Sequence, residues 1–367
     1  MILKRLRLYN FRVYQEQTFS PEPGLNLLTG LNGAGKTAVL EALHLLSAAR
    51  SFRTKREREL CYWGQTQCQI EGHFTSDSNN KRSLSLSWQK EDGEWSKKAG
   101  FQGDSVARLS DFLGCVPMSL FTPSDLSLVN GSPSARRRYL DLMLSKMFPL
   151  HLQELARLKQ VLGSRNALLR QGRGPRELAP WNKLLFQLSL TVGARRESLA
   201  TQLSELCCDF LSQLTDDPSG ITLEYRRCWP QDWDSFSARL RELQEREQKR
   251  GSTLLSPQQD DLEIQRRERS LRTYGSQGEQ RLVALCLRLS EAKQLALQKN
   301  ESAILLLDDA LSEFDPEKRE RLLALLPQFS QVFLTSAQPL RSTPSTFQVY
   351  QVREGVIQNA TKLKVLE

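Results

Sequence analysis

The sequence predicts an α/β fold in which a mainly helical second lobe is inserted into a discontinuous first lobe. Three observations carry this. An apolar run at Leu25–Leu28 leads into a glycine-rich turn and then an uninterrupted helical pattern from Lys36. Far downstream, AILLLDD (303–309) and VFLTSA (332–337) are continuous apolar runs, as expected of central strands in a parallel sheet. Between these two regions, from 132 to about 250, the periodicity is helical. The expected boundaries are 1–122 and 251–367 for the α/β lobe and 123–250 for the insertion.

The elements follow in order. Residues 2–29 read as short strands, alternating around Leu6 and Leu8, and the helix after Lys36 lines up Val39, Leu40, Leu43 and Leu46 on one face. CQIEGHF and SLSLSW alternate between 68 and 103, with a turn at Asp92-Gly93 before Trp95, which predicts an antiparallel region. The helical stretch is interrupted by QGRGPRELAP (171–180) and by DDPSG (216–220), which precedes the strand-like ITLEYRRCW. No repeat or low-complexity tract breaks the pattern.

Composition narrows the function. At 367 residues the chain exceeds the roughly 250–300 residues at which single cores stop growing, in keeping with two lobes. With 39% apolar and 25% charged residues it reads as an ordinary globular protein. No apolar run is long enough to span a bilayer, and MILKRLRLYNF is basic and alternating rather than a signal peptide, so a cytoplasmic protein without a membrane partner is expected. Seven cysteines are scattered without a CxxC pair, and only His44, His73 and His151 accompany them. A histidine-centred metal site is therefore not expected, and the thiols read as core or idle groups in a reducing compartment. Residues 132–200 hold 13 Lys and Arg against 4 Asp and Glu, which accounts for the whole net charge of +9. A solvated helical face would suit such a run, but its confinement to one segment points to a polyanion partner.

Gly30-Leu31-Asn32-Gly33-Ala34-Gly35-Lys36-Thr37 matches GxxxxGK[ST], the P-loop pattern. Its glycines let backbone N–H groups converge on phosphate oxygens, and the helix that follows aims its positive end at the same point. The flanking strand and helix separate it from a merely flexible glycine turn. On this reading ATP is the ligand, Lys36 reaches the β- and γ-phosphates, and Thr37 ligates Mg²⁺. A second metal ligand is expected in Asp308 and a residue that positions the attacking water in Asp309, because both close an apolar strand at its carboxyl edge.

GSQGEQRL (275–282) opens another helix, whose apolar positions run Leu282, Leu285, Leu289, Ala292 and Ala296. Ser276, Gln277 and Gly278 stand at its amino end, where a hydroxyl and free N–H groups make a second anion site. Ser276 is equally placed to be a helix cap, with Glu279 completing a capping box.

The order of P-loop, Ser-x-Gly-x-Gln helix start, apolar strand with Asp-Asp, and Ser312-Glu313-Phe314-Asp315 resembles the ABC-type ATPases. That resemblance implies an ABC-type P-loop ATPase head as the first lobe. It also implies that Ser276 of one subunit closes over the γ-phosphate held by the P-loop of another, with Ser312 to Asp315 as the D-loop at that seam. NFR (10–12), SFRT (51–54) and above all FTPSDLSLVNGSPSARRRYLD (121–141) are similar to the RecF family of bacterial recombination mediators, which resemble SMC heads without the long coiled coil. The likeness implies an ATP-dependent homodimer and a weak DNA-stimulated ATPase in recombinational repair and replication restart. It further implies binding to duplex DNA and gap junctions, and RecO, RecR and RecA as partners in loading RecA at gaps. Three departures stand out. SPQQDDL (256–262) replaces the family's usual Gly-Pro-His-Arg-Asp-Asp, and no histidine lies near 335–338, leaving a switch role to Thr335, Ser336 or Gln338. Where a Q-loop glutamine is expected after Val116, the chain offers Ser119 and Asp125.

The candidate DNA contacts are Arg136, Arg137, Arg138, Lys159, Arg165 and Arg170, followed by Arg173 and Arg176. Few aromatics beyond Tyr139 and Trp181 interleave them, which favours contact to a duplex backbone over stacking on single strands. Pairing of Arg136 to Arg138 with acids inside the fold or across the dimer is the alternative. Two other readings share the motifs. A transporter's ATPase subunit has no need of the basic lobe between Lys36 and Ser276, and a non-hydrolysing ATP-binding DNA scaffold has no need of Asp308 and Asp309.

Overall fold

A computed structural model of the chain describes residues 1–217, 219–337 and 347–360. Two compact units emerge: Met1–Asp125 with Asp209–Pro218 and Arg281–Glu367, and Leu126–Cys208 with Ser219–Gln280. The insertion thus runs to Gln280, not to 250. Strand Asp261–Arg266 pairs antiparallel with Ile221–Arg226, in the register Asp261↔Arg226 through Arg266↔Ile221, and this holds 251–280 in the second unit. The last part of the long helix Pro175–Leu214, from Asp209, belongs to the first.

The first unit holds two six-stranded sheets. One is antiparallel, in the order Tyr14–Phe19, Ile2–Phe11, Gln67–Thr75, Lys81–Glu91, Glu94–Phe101, Asp104–Ser105. Its strands alternate as the sequence predicts: Cys68, Ile70, Gly72 and Phe74 are buried and the residues between them more exposed. Asp92 and Gly93, both at positive φ, close the hairpin between Lys81–Glu91 and Glu94–Phe101 in the primed-turn geometry that such dipeptides favour.

The other sheet runs Val356–Asn359, Phe347–Arg353, Gly24–Thr29, Gln331–Ser336, Ile304–Leu307, Met118–Phe121, parallel but for its first strand. Its register sets Leu307 beside Leu334 and Thr335 beside Leu28. The ends of three strands therefore bring the P-loop, the two aspartates and Thr335 to one carboxyl edge. Asn26 is buried inside this sheet, satisfied by the backbone of Glu22 and Gly24. Helix Lys36–Ala48 touches strands of both sheets and shares one core cluster with them, which is why nearly all its side chains are buried.

The second unit is built on helices Pro133–Met147, Pro149–Arg170, Pro175–Leu214 up to Cys208, and Trp233–Arg250, around Leu158, Leu162, Leu185, Phe186 and Phe236. A three-stranded sheet, Arg269–Ser270, Asp261–Arg266 and Ile221–Arg226, completes it. The break expected over 171–180 is shorter. Pro175 is already the first residue of the long helix, where proline fits because that N–H has no helical partner, and Pro180 lies inside it. Among the described residues no helix is long and apolar enough to cross a membrane.

Candidate nucleotide site

The P-loop is held in shape from two sides. Gly30 (φ 150°) has no room for a side chain, since a Cβ there would stand 2.2 Å from the Val352 carbonyl oxygen. Gly35 (φ 116°) lies under the Tyr14 hydroxyl, which donates to its carbonyl at 3.0 Å; a Cβ would meet that oxygen at 2.8 Å. Helix Lys36–Ala48 starts with neither a side-chain cap nor an acid in its first turn, so its free N–H groups and positive end face the loop.

Lys36 Nζ folds back to donate to the carbonyls of Gly30 (2.7 Å) and Leu31 (2.9 Å). Burial pushes its pKa down, against the pull of Asp309 and Asp308. At the strand end, Thr37 Oγ1 donates to Asp308 Oδ1 at 2.9 Å and Thr335 Oγ1 to the same oxygen at 2.8 Å. Thr335 Oγ1 in turn accepts from the Asp309 N–H at 2.9 Å. Burial raises the Asp308 pKa, the Thr335 and Thr37 hydrogen bonds oppose this, and the Asp309 charge adds to it. Asp309 itself sits in the left-handed region (φ 49°) immediately before the turn Ala310–Glu313, a conformation that aspartate tolerates better than most side chains.

These groups line a cleft of about 560 Å³, a size suited to a nucleoside triphosphate. Thr37 and Asp308, joined by a hydrogen bond, are the pair that could ligate a metal, and among the described residues no group of three or more His, Cys, Asp or Glu is placed to hold an ion. That donor set fits Mg²⁺, which keeps waters and phosphate oxygens and takes one or two protein ligands.

The cleft also gathers residues to which the sequence assigned no role. Arg12 of NFR reaches Glu41 of the P-loop helix through Nε (2.8 Å) and Nη2 (2.6 Å), and Ser51 of SFRT donates to the same carboxylate at 2.5 Å. Glu41 is fully buried, so it locks both motifs to the helix while Arg12 and Arg53 line the cleft. Of the switch candidates, Thr335 is the buried bridge between the aspartates, and Gln338 falls outside the described residues. Ser119 and Asp125 do not line the cleft: Ser119 donates to the Arg288 carbonyl, and Asp125 binds the Thr122 N–H and the Arg288 guanidinium.

In the second unit, Ser276 is exposed and forms a complete capping box. Its Oγ accepts from the Glu279 N–H (3.2 Å), and Glu279 Oε2 accepts from the Ser276 N–H (2.9 Å) and hydroxyl (3.0 Å). Those bonds hold the Glu279 pKa below the usual range. Gly278 is open, with nothing near a Cβ built there. In the first unit, Ser312 Oγ donates to the Asp309 carbonyl at 2.8 Å, and Asp315 caps helix Pro316–Leu325.

The basic candidates divide. Arg136 is 3% exposed, gripped by Asp261 through two bonds of 2.8 and 2.9 Å, and Arg165 is 1% exposed, bound to Glu247, Thr253 and Asn182. Buried and paired, these two are not DNA contacts, which corrects the sequence expectation. Arg137 is half-buried and donates to the Asp260 carbonyl, whereas Arg138, Lys159 and Arg170 are exposed. The carboxylates of SPQQDDL are also structural here: Asp261 holds Arg136, and buried Asp260 accepts from Tyr225, Trp229 and the Cys228 N–H.

A P-loop between two sheets, with paired aspartates at the strand edge and a serine at a separate helix start, defines an ATPase head of the ABC and SMC type. The chain matches the RecF/RecN/SMC N-terminal domain over residues 2–358. It belongs to that family, and within it to the RecF proteins. It is 33% identical to the DNA replication and repair protein RecF of Exiguobacterium sp., covering 98% of this chain and 99% of the relative. With RecF of Herpetosiphon aurantiacus the identity is 35%, over 93% and 94%. Its fold is similar to that of the recombination mediator protein RecF with ATP in the RecFOR pathway (TM-score 0.87, 26% identity, 97% of each chain). An Smc head domain from Pyrococcus furiosus shares the fold more distantly (TM-score 0.56, 14% identity, 99% and 98% covered).

Proposed function

We propose that this chain is an ATP-hydrolysing, DNA-binding protein of cytoplasmic DNA replication and repair that dimerises on DNA when it holds ATP. The observation that carries the reading is the chain of bonds from Thr37 through Asp308 and Thr335 to the Asp309 N–H, which supports Asp308 as the metal ligand and Asp309 as the group that positions water. Mg²⁺ held by Thr37 and Asp308 would neutralise charge developing on the transferred phosphoryl group. Lys36 exchanges its two P-loop carbonyls for phosphate oxygens, and Asp309 orients the attacking water and accepts its proton. Ser276 of a second copy meets the γ-phosphate with its hydroxyl and the free N–H groups of its helix start, so the site is complete only in the dimer. Exposed Arg138, Lys159 and Arg170, with exposed Arg173 and Arg176, are the cations offered to the DNA backbone. The RecFOR pathway of the similar ATP-bound structure supports RecO and RecR as partners; within the proposal RecA is loaded at gaps, and the ATPase is weak and stimulated by DNA.

Sedimentation with Mg-ATP, with and without a gapped duplex, tests the scheme on wild type, Lys36→Ala, Asp309→Asn and Ser276→Arg. Wild type dimerises, Lys36→Ala loses nucleotide, Ser276→Arg binds nucleotide but stays monomeric, and Asp309→Asn dimerises while turning over about 10²- to 10⁴-fold more slowly. A monomeric Asp309→Asn protein in saturating ATP overturns it.

A further inference from the structure

Asp309 stands at a hinge in the chain. On its strand side the N–H donates to Thr335 Oγ1 at 2.9 Å, and on the other side the backbone (φ 49°, ψ 29°) leads directly into the turn Ala310–Glu313. The direction of its carboxylate is therefore set by whatever holds that turn. Ala310, Leu311 and Phe314 are buried, which seats the turn against the first unit, and polar bonds fix how it is turned.

Two arginines from two different helices make those bonds. Arg319, in helix Pro316–Leu325, folds back over the turn and donates from Nε to the Leu311 carbonyl (3.1 Å) and from Nη2 to the Phe314 carbonyl (3.3 Å). Arg281, in helix Gln277–Lys299, places its Nε 2.8 Å from Glu313 Oε2. Within the turn, the Ser312 N–H (3.3 Å) and Oγ (2.8 Å) both donate to the Asp309 carbonyl, so a shift of the turn is passed straight to Asp309.

Neither arginine lines the cleft that holds Lys36, Asp308 and Asp309, so neither is placed to touch nucleotide or metal. Stability does not account for them either, because a partly exposed ion pair such as Arg281 with Glu313 adds little to it. Position is another matter: a reacting group misplaced by about 1 Å can cost about 10²-fold in rate. We propose that Arg281 and Arg319 are positioning residues for ATP hydrolysis, which together brace the turn after Asp309 and so aim its carboxylate at the attacking water. This rests on the reading of Asp309 above and adds the residues that act through it.

The test measures single-turnover hydrolysis, ATP affinity by calorimetry, sedimentation with Mg-ATP and melting temperature on the full chain. The proteins are wild type, Arg281→Gln, Glu313→Gln, Arg319→Gln, Arg319→Lys, Asp309→Asn, and Arg281→Gln or Arg319→Gln combined with Asp309→Asn. Each glutamine variant should hydrolyse about 10- to 10²-fold more slowly, with ATP affinity, ATP-dependent dimerisation and melting temperature as in wild type. Arg319→Lys keeps a donor for the carbonyls and should recover part of the rate, and exchanging the pair, Arg281→Glu with Glu313→Arg, should restore most of it. That exchange also decides the matter if a single variant melts lower. On top of Asp309→Asn neither arginine variant should cost anything more, because both act through that carboxylate. Wild-type rates in the glutamine variants overturn the proposal. So does a loss of affinity or dimerisation as large as the loss of rate, which would put the arginines in binding or at the dimer seam, and so does a further loss added to that of Asp309→Asn. If Asp309→Asn alone hydrolyses ATP like wild type, the reading of Asp309 itself fails, and that result is separate from anything the arginine variants do.

Discussion

At the scale of single residues, the site is poised by the cost of burying Asp308. Its carboxyl accepts from Thr37 and Thr335, yet burial and the neighbouring Asp309 dominate and raise its pKa. An acid whose folded pKa is raised binds its proton more tightly in the native state. Without nucleotide, stability is therefore greatest below the ordinary aspartate value near 4, declines as pH climbs from there through the raised value, and stays reduced above it. Asp308→Asn keeps an oxygen for the two threonines and removes the charge. At neutral pH the nucleotide-free variant should melt above wild type, the difference should close as pH falls through the raised value, and the Mg-ATP-dependent rise in melting temperature should vanish. Thermal melts across pH, with and without Mg-ATP, check all three. A variant that melts below wild type at neutral pH would mean that the threonine bonds outweigh the burial.

At the scale of elements, the helix at Gln277–Lys299 answers the question its sequence left open. In the free chain Ser276 is a cap, reciprocally bonded to Glu279, and the same atoms are the ones proposed to meet a γ-phosphate. Ser276→Ala should cost about 0.5–2 kcal/mol in chemical denaturation, whereas Ser276→Thr, which keeps the hydroxyl, should cost less. If Ser276→Ala is as stable as wild type, the capping box contributes nothing to the helix and the hydroxyl is free for another task. What was legible in the sequence follows the same division. Strand, P-loop and helix are contiguous, so pattern alone places them, and two carboxylates after an apolar run have few destinations other than a strand edge. Glu41 had no such signal, because it joins NFR and SFRT only once the helix has turned it toward both. The insertion's end was misplaced for a related reason: nothing local in the sequence says that DLEIQR pairs with ITLEYR.

At the scale of the whole molecule, net charge located the basic segment but not which of its cations face water. Helical spacing contains that information. Arg136 lies three, four, seven and eleven positions before Tyr139, Leu140, Met143 and Met147, all buried, and Arg165 shares its stripe with Leu158, Val161, Leu162 and Leu169. An arginine on an apolar stripe belongs to the interior and needs an acid there, which Asp261 and Glu247 supply.

That distinction separates stability from DNA affinity by experiment. Arg165→Ala strips Glu247 of its partner inside the fold and should lower stability by about 3–5 kcal/mol, because the uncompensated buried charge is what is left behind. Arg138→Ala, Lys159→Ala and Arg170→Ala change exposed side chains and should stay within about 0.5 kcal/mol of wild type. On duplex DNA the order inverts. Each exposed cation that neutralises a phosphate contributes about 0.9 to the slope of log affinity against log salt, so removing all three should flatten the slope by up to roughly 3, whereas Arg165→Ala, measured below its melting temperature, should leave it unchanged. Melting curves and salt titrations on wild type, the four single variants and the triple variant decide the matter. A triple variant with the wild-type slope would move the DNA surface off these helices, to cations whose spacing puts them elsewhere on the second unit or on the first.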